Sequence, residues 1–483
     1  MKNLITLILV ALLVYLPLSI SAKNGGNKST VANGPTFSGG SGTEADPFLI
    51  STKEDVVTLA VAVGQDNNYA GVYFKMTNDI DLAIEKKSEE ANNFLPIGNN
   101  IDGSLHPFSG VFDGDNHKIL NLNADWRNIG FVGLFGVAQN ATIKNLTVSN
   151  SEIYGDLSVA AILGAGVMDC VIENCHTTAD VKVSCRKFYV AGICGGLLIG
   201  GAKGSNIIDC TNSAEVNGCV GYTAGILATN GQNNTKVKRC GNFGRITDDN
   251  LHVAGVVAHS KNGIFIEDCF NSGQISLLSL EGAENALAAG ILASGTEVPA
   301  EEMIVIERCY NVGAFNNEVD EGGYSKTHAI FNADLCENYN VEMENVFYCE
   351  NRYLLEYKGT EPMAEADMRS AVFVSMLNGG SAENCWRIVD GFNEGFPVSA
   401  PVIEGASSIA VAETTQGAVR AVGGVLKVID APAKVPVTLY DATGRTVLET
   451  VTDVEGNAEV NMVGIPTGVY LVKVANRGYK IIR

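Results

Sequence analysis

Five segments of this chain open alike and close alike, and that periodicity restricts the fold more than any other feature. They open with Ala161-Ile162, Ala191-Gly192-Ile193, Ala224-Gly225-Ile226, Ala254-Gly255-Val256 and Ala289-Gly290-Ile291. Each runs on to an aliphatic stretch that closes in a cysteine: Cys175, Cys210, Cys240, Cys269 and Cys309. Four continue to an asparagine two places later, Asn212, Asn242, Asn271 and Asn311, and three of these to Gly244, Gly273 and Gly313. Successive cysteines lie 35, 30, 29 and 40 residues apart. A unit of about 30 residues that lengthens by insertion fits one coil of a parallel β-helix, with short strands along the coil and insertions at its turns. Helical repeats of this length need an apolar period of 3.6 residues, whereas these segments are Gly-rich and β-branched. Propeller blades need four hairpin-linked strands per unit, more than this pattern supplies.

Stacking assigns each repeated residue a task. Coils lie about 4.8 Å apart, so equivalent side chains form ladders along the axis. Inward Ile, Val and Ala fill the core, and Cys packs there as a small hydrophobe. Asn at a turn bonds its amide to the coils on either side and tolerates left-handed backbone. The Cys column lacks a Cys-x-x-Cys pair and strings its sulfurs along an axis, which does not suit a metal or redox site. For the twelve cysteines overall, pairing among the remainder (Cys170, Cys185, Cys194, Cys219, Cys336, Cys349, Cys385) is left open.

A formal charge of −21 excludes a grip on polyanions, since nucleic acid and anionic lipid are held by Lys/Arg-rich faces and no such run occurs. The chain opens with an export signal: Lys2, an apolar run from Leu4 to Leu16, Pro17, then small residues to a cleavage point after Ala22. Residues 23–41 are a Gly/Asn/Ser linker, and no cysteine sits at the cleavage point to take a lipid anchor. No later stretch is apolar and long enough for a transmembrane helix. Ser51-Thr52-Lys53-Glu54-Asp55 reads as a capping box ahead of a helix over Val56–Val63, and Pro362–Leu377 has helical spacing; both are candidate lids for the open ends of the solenoid.

Beyond the repeats the chain resembles a known group. Asp46-Pro47-Phe48-Leu49-Ile50, Asn78-Asp79-Ile80-Asp81-Leu82, Pro96-Ile97-Gly98, Phe108-Ser109-Gly110-Val111-Phe112-Asp113-Gly114 and Gly133-Leu134-Phe135-Gly136 are similar to the amino-terminal part of bacterial surface β-helix proteins with GLUG-type repeats. Trp386 and Gly395-Phe396-Pro397 resemble the segment that closes such solenoids, so the likeness covers residues 42–400. It implies a cell-surface or secreted protein. Several members are attached to peptidases that cleave immunoglobulin A, but this chain has no His-Glu-x-x-His and no room for a separate peptidase domain. After a linker at residues 401–416, residues 417–483 alternate as short strands of a small β-sandwich. Tyr440, Asp441, Gly444, Arg445, Gly456, Pro466, Gly468, Tyr470, Val472 and Lys473 there resemble the carboxy-terminal sorting domain of the type IX secretion system of Bacteroidota. That likeness implies delivery across the outer membrane by the type IX machinery.

The expected architecture is therefore all-β: a right-handed parallel β-helix with short capping helices, then a small C-terminal β-sandwich. Parallel β-helices also host polysaccharide lyases and glycoside hydrolases, which gather several carboxylates on adjacent coils. Here Glu173, Asp209, Lys238, Glu267 and Glu307 are read as one column of mixed sign, which suits a solvated face. Asp113-Gly114-Asp115-Asn116-His117 begins like a calcium loop but lacks its later ligands and reads as a tight turn. The six histidines show no metal spacing, and no cofactor is expected. The favoured function is a non-enzymatic adhesin or binding scaffold with a host or glycan partner, and the alternative is a carbohydrate-active enzyme. Contacts are expected on the insertions Leu197–Ser205, Gly231–Asn234 and Ser294–Met303.

Overall fold

The fold was determined as a computed structural model. It describes residues 35–83, 94–127, 129–249, 251–278, 286–295, 302–316, 327–331, 340–350, 359–379 and 383–402 of the body. In the tail it describes 418–422, 425–429, 433–440, 445–454, 456–462, 465, 469–474 and 477–482. The export signal and most of both linkers lie outside these residues.

One coil shows how the repeat folds. Thr235–Lys238 and Gly241–Asn242 form two strand segments separated by a bend, followed by Ile246–Asp248, His252–Ala254 and Val257–Ser260. The chain then re-enters the first position one rung on, at Ile264–Glu267, with Val237 opposite Ile266. All pairings between coils are parallel, and the stack is a right-handed β-helix. Alternate residues point inward, so Ile172, Ile207, Val237, Ile266 and Ile306 are fully or almost fully buried in one core that runs the length of the coils.

The two halves of the repeat meet across that core. Asn212, Asn242, Asn271 and Asn311 are fully buried; the first three each donate Nδ2–H to the next Oδ1 at 2.7–2.8 Å, and Asn311 donates to the Ala329 carbonyl at 2.8 Å. Against this amide ladder lie the corner glycines of the Ala-Gly-Ile motif. A Cβ on Gly225 would sit 2.4 Å from Asn242 Oδ1, and one on Gly255 would sit 2.3 Å from the Asn271 amide. Glycine is thus required at the corner by the asparagine opposite it. The expectation of left-handed backbone at these asparagines is corrected: they are extended strand residues, and the left-handed position falls three residues earlier.

At the amino end, α1 (Lys53–Val63) starts from Thr52 with the capping box closed by Asp55, and packs Val56, Leu59 and Val63 into the main core. The carboxy-terminal segment departs from expectation. Glu361–Met363 is a strand on the last rung, and only α2 (Glu365–Met368) and α3 (Ala371–Asn378) are helical. Instead of closing the end, this segment lies along the flank, where Met368, Phe373, Leu377, Trp386 and Phe396 cover Phe243, Phe270, Tyr310 and Phe347 from four successive coils. Those aromatics point outward, opposite in phase to the inward asparagines, and would otherwise be a greasy exposed stripe.

The tail folds as two antiparallel sheets. One contains Ala418–Val422, Val425–Ile429 and Ala458–Asn461; the other contains Thr446–Val451, Pro436–Tyr440, Val469–Val474 and Arg477–Ile482. Leu426, Val428, Val437, Leu439, Met462, Tyr470 and Val472 form their shared core.

Candidate functional site

The bend between the two strand segments is the feature that shapes the surface. Asn145, Asn174, Asp209, Arg239, Asp268, Arg308 and Asn345 follow one another there, rung by rung, all with φ between 50° and 57°. Asn and Asp accept left-handed backbone readily, while Arg pays roughly 1–2 kcal/mol for it. Arg239 and Arg308 are held by neighbouring carboxylates. Arg239 grips Asp209 through Nε and Nη2 at 2.6 and 2.7 Å, and Arg308 grips Asp268 at 2.8 and 3.2 Å.

This register corrects the column read from sequence. Glu173 stands opposite Ile208, then Lys238, Glu267, Glu307 and Glu344, while Asp209 belongs to the bend column one residue on. Aligning the repeats on their cysteines, rather than by residue type, reveals the alternating Asp-Arg-Asp-Arg run immediately before Cys210, Cys240, Cys269 and Cys309.

The outer surface along this bend forms one track from coil to coil, the bend groove. On the carboxy-terminal rungs the protein fills this groove itself. Trp386 Nε1–H donates to Asp268 Oδ1 at 3.1 Å, and the Tyr310 hydroxyl donates to the Pro397 carbonyl. Glu383 reaches Lys238 at 3.1 Å and also pairs with Arg239. On the amino-terminal rungs the groove is open, with a cavity of about 230 Å³ lined by Asn116, Lys118, Asn145, Leu146, Thr147, Asn174 and His176. Lys118, Thr147, His176 and Thr211 occupy the register positions that become Phe270, Tyr310 and Phe347 further along. Polar side chains therefore mark the open half and aromatic ones the covered half.

The hydrogen bonds fix the chemistry of the open half. Asn174 Nδ2 donates to Asn145 Oδ1 at 2.9 Å and Asn116 Oδ1 at 3.0 Å, which leaves its Oδ1 as an acceptor for His176 Nε2–H at 2.9 Å. His176 Nδ1 then accepts from the Thr211 hydroxyl at 2.8 Å. Burial pushes the His176 pKa down to about 4, so the imidazole is neutral at physiological pH. Among the described residues the Lys118 ammonium has no carboxylate partner and the Thr147 hydroxyl no side-chain partner. Asp113, from the motif that opens like a calcium loop, instead accepts from Asp115 N and Asn145 Nδ2 at 2.9 Å and pairs with Lys144 at 3.4 Å. Among the described residues no group of three His, Cys, Asp or Glu is placed to hold a metal ion.

The sequence-singled residues fall elsewhere. Cys175, Cys210, Cys240, Cys269 and Cys309 are buried free thiols that donate to backbone carbonyls, as Cys210 Sγ does to Ile208 O at 3.2 Å. All the cysteines described are unpaired, and only Cys219 and Cys385 are half-exposed. Burial, followed by Asp249 and Asp248, raises the Cys219 pKa, and burial pushes the Cys385 thiol up to about 12. A thiol reagent at neutral pH is therefore expected to modify Cys219 first and slowly, and the five column cysteines only after denaturation. Peptide mass mapping checks this order, and rapid native labelling of Cys240 would refute it.

The insertion loops are tied down rather than free. Gln232 is fully buried and bonded to Ser205 Oγ and Ile199 O, and Asp169 caps Lys203 N and Gly204 N. Residues 296–301 of the third insertion lie outside the described residues. In the tail, Tyr470 and Val472 are buried, Arg445 and Lys473 are exposed, Tyr440 is half-buried, and Gly456 takes φ 83° in a turn. Asp441, Gly444, Pro466 and Gly468 lie outside the described residues.

Residues 424–483 match the family described as the secretion system C-terminal sorting domain. The chain thus carries a type IX sorting domain, which directs export to the cell surface or the extracellular space. No helix among the described residues is long and apolar enough to cross a membrane. Over 181 residues the chain is 31% identical to halomucin of Haloquadratum walsbyi, covering 37% of this chain and 2% of that protein. Over 147 residues it is 28% identical to a protein of Evansella cellulosilytica provisionally named a Gly-rich membrane protein, covering 29% of this chain and 16% of the other. This chain therefore matches only a small part of either relative's length. Among solved structures, a Bacteroides ovatus chain provisionally described as an immunoglobulin A1 protease superposes with a TM-score of 0.46 at 16% identity, covering 75% of this chain and 94% of that one.

Proposed function

We propose that this exported protein is a non-enzymatic binding scaffold of the adhesin kind, whose rigid coils hold an open groove toward an external partner. The observation that carries this reading is the division of the bend groove. Its aromatic half is filled by the chain's own Glu383–Ala400 segment, while its polar half, from Asn116 to His176, is an open cavity. That segment folds back on itself through the antiparallel bridge Arg387–Val398, so the covered half holds a compact flap and the open half has the same track free for an external ligand. The ladders behind it are fixed by hydrogen bonds from rung to rung, so the groove is preorganised and binding costs little ordering entropy.

Two measurements test the reading. Deleting residues 417–483 in a host with type IX machinery is expected to abolish surface display and leave the body in the periplasm, as read by fractionation. The purified full chain is expected to retain a host or community ligand on a glycan or protein array, and to release no reducing ends or unsaturated products from polysaccharides. Turnover of any polysaccharide would replace the scaffold by a carbohydrate-active enzyme.

A further inference from the structure

We infer that the open half of the bend groove binds the hydroxyl-rich end of a neutral saccharide, with Lys118 and Thr147 as its direct contacts. This rests on the binding reading above and names the ligand class for that site.

Backbone recognition is closed off first. The strand Thr142–Ser149 under the cavity is paired on both sides, with Val111–Leu120 and with Val171–Thr177. A peptide cannot add itself as a strand there, so recognition falls to side chains. Those side chains are planar amides, a hydroxyl, an imidazole and one ammonium, spaced by the rung repeat of about 4.8 Å. Hydrogen bonds among Asn116, Asn145, Asn174, His176 and Asp113 satisfy Asn145, Asn174 and His176 and fix the orientation of the Asn116 amide. The Thr147 hydroxyl, which can donate and accept, and the Lys118 ammonium, which only donates, remain for a ligand, with the exposed Asn116 Nδ2 as a further donor at the rim. A sugar hydroxyl meets both needs.

Charge argues for a neutral ligand. The whole chain carries −21, and Asp113, Asp115 and Glu173 lie on the rungs that line the cavity. Lys144 and Lys75 are engaged with Asp113 and Asp115. Lys118 then only balances Glu173, so the site has no excess positive charge for a polyanion, and no arginine lines the cavity to fork onto a carboxylate or phosphate. Size points the same way. At about 230 Å³ the cavity is smaller than the roughly 300–1,000 Å³ of sites that enclose a drug-sized ligand, so it takes one end of a longer molecule.

The test uses the purified full chain with neutral gluco-, galacto- and manno-oligosaccharides and a uronate oligomer of matched length, read by titration calorimetry and saturation-transfer NMR. Thr147→Leu, which fills the cavity, and Lys118→Ala, which removes its free donor, are each expected to weaken the best neutral ligand at least tenfold. Melting curves and hydrogen exchange verify that both variants retain the native coils. Unchanged affinity in both folded variants overturns the inference, as does tighter binding of the uronate than of every neutral sugar. If no saccharide binds but the chain captures a defined protein partner, this inference fails and the scaffold reading stands. If it captures neither, both fail.

Discussion

Replacing Asp268 by alanine is expected to lower the stability of the central coils by about 3 kcal/mol, the low end of the cost of removing one partner of a buried ion pair, because Arg308 keeps two other carboxylates. Asp268 is fully buried at the bend, where its carboxylate receives Arg308 at 2.8 and 3.2 Å and Trp386 Nε1–H at 3.1 Å. Its backbone carbonyl also accepts from the Ser399 hydroxyl. The alanine variant leaves the nearly buried Arg308 with only Glu307 at 2.7 Å and Glu267 at 3.6 Å, and removes the bidentate pair that holds its left-handed backbone. It also leaves the indole N–H unpaired beneath the flanking segment. Because each coil contacts only its neighbours, the loss is local. Hydrogen exchange is expected to accelerate over residues 264–271, 304–311 and 386–399 while Thr142–Thr177 keeps its protection. Asp268→Asn, which retains an acceptor, is expected to recover part of the loss. A shift below about 1 kcal/mol would mean that packing of Trp386 and Phe396, rather than the ion pair, holds the segment down.

The coil repeat is legible in the sequence because Ala-Gly-Ile and the terminal Cys-x-Asn recur with small spacing changes, and stacking forces recurrence. The amino-terminal coils are harder to see. Leu146 stands where later coils have Cys, and the strand from Val111 to Leu120 carries a register shift between Asp113 and His117 that breaks the period. The groove is invisible in the sequence because its half-and-half character belongs to an outward column. Thr147, His176, Thr211, Gly241, Phe270 and Tyr310 share no residue type, only a register. Gly241 shows why neighbours matter: the ring of Phe270 leans so far over it that a Cβ would meet the ring at 2.3 Å. The flanking segment reads as a lid for a related reason. Its helical spacing is visible, but its apolar face is complementary to aromatics scattered over four coils, not to a terminal rung.

Lowering the pH from 6.5 toward 4 is expected to remove about 3 kcal/mol of stability through His176 alone, since each pH unit between the folded and unfolded values is worth about 1.36 kcal/mol. In the unfolded chain this imidazole takes its proton near the ordinary value of 6.5, whereas burial in the folded coil delays protonation to about 4. Between those values the unfolded state binds the extra proton, so stability falls as the pH falls. His259 adds a second loss in the same direction, since burial, then His252 and Lys261, push it down to about 3. Its ring stacks 4.2 Å from Tyr222 and bonds Thr229 at 3.1 Å, on a different face of the coil. His106 opposes them: burial works against its proton, but Asp102 and Asp66 at 2.9 Å outweigh it and raise its pKa. That contribution is fully present below 6.5 and is lost as the pH rises through the raised folded value. The aspartates held below the usual 3.8, such as Asp113 and Asp180, lose their contribution only at still lower pH. The window from 6.5 to 4 therefore belongs to the buried histidines. Denaturation midpoints at pH 7, 5.5 and 4.5 are expected to fall progressively, and His176→Gln, which keeps a donor for Asn174 without a titrating ring, is expected to flatten part of the slope. A wild-type midpoint that stays level across this range would mean that water or a carboxylate reaches His176. The wall of the open groove would then carry a charge that the neutral-sugar site does not allow.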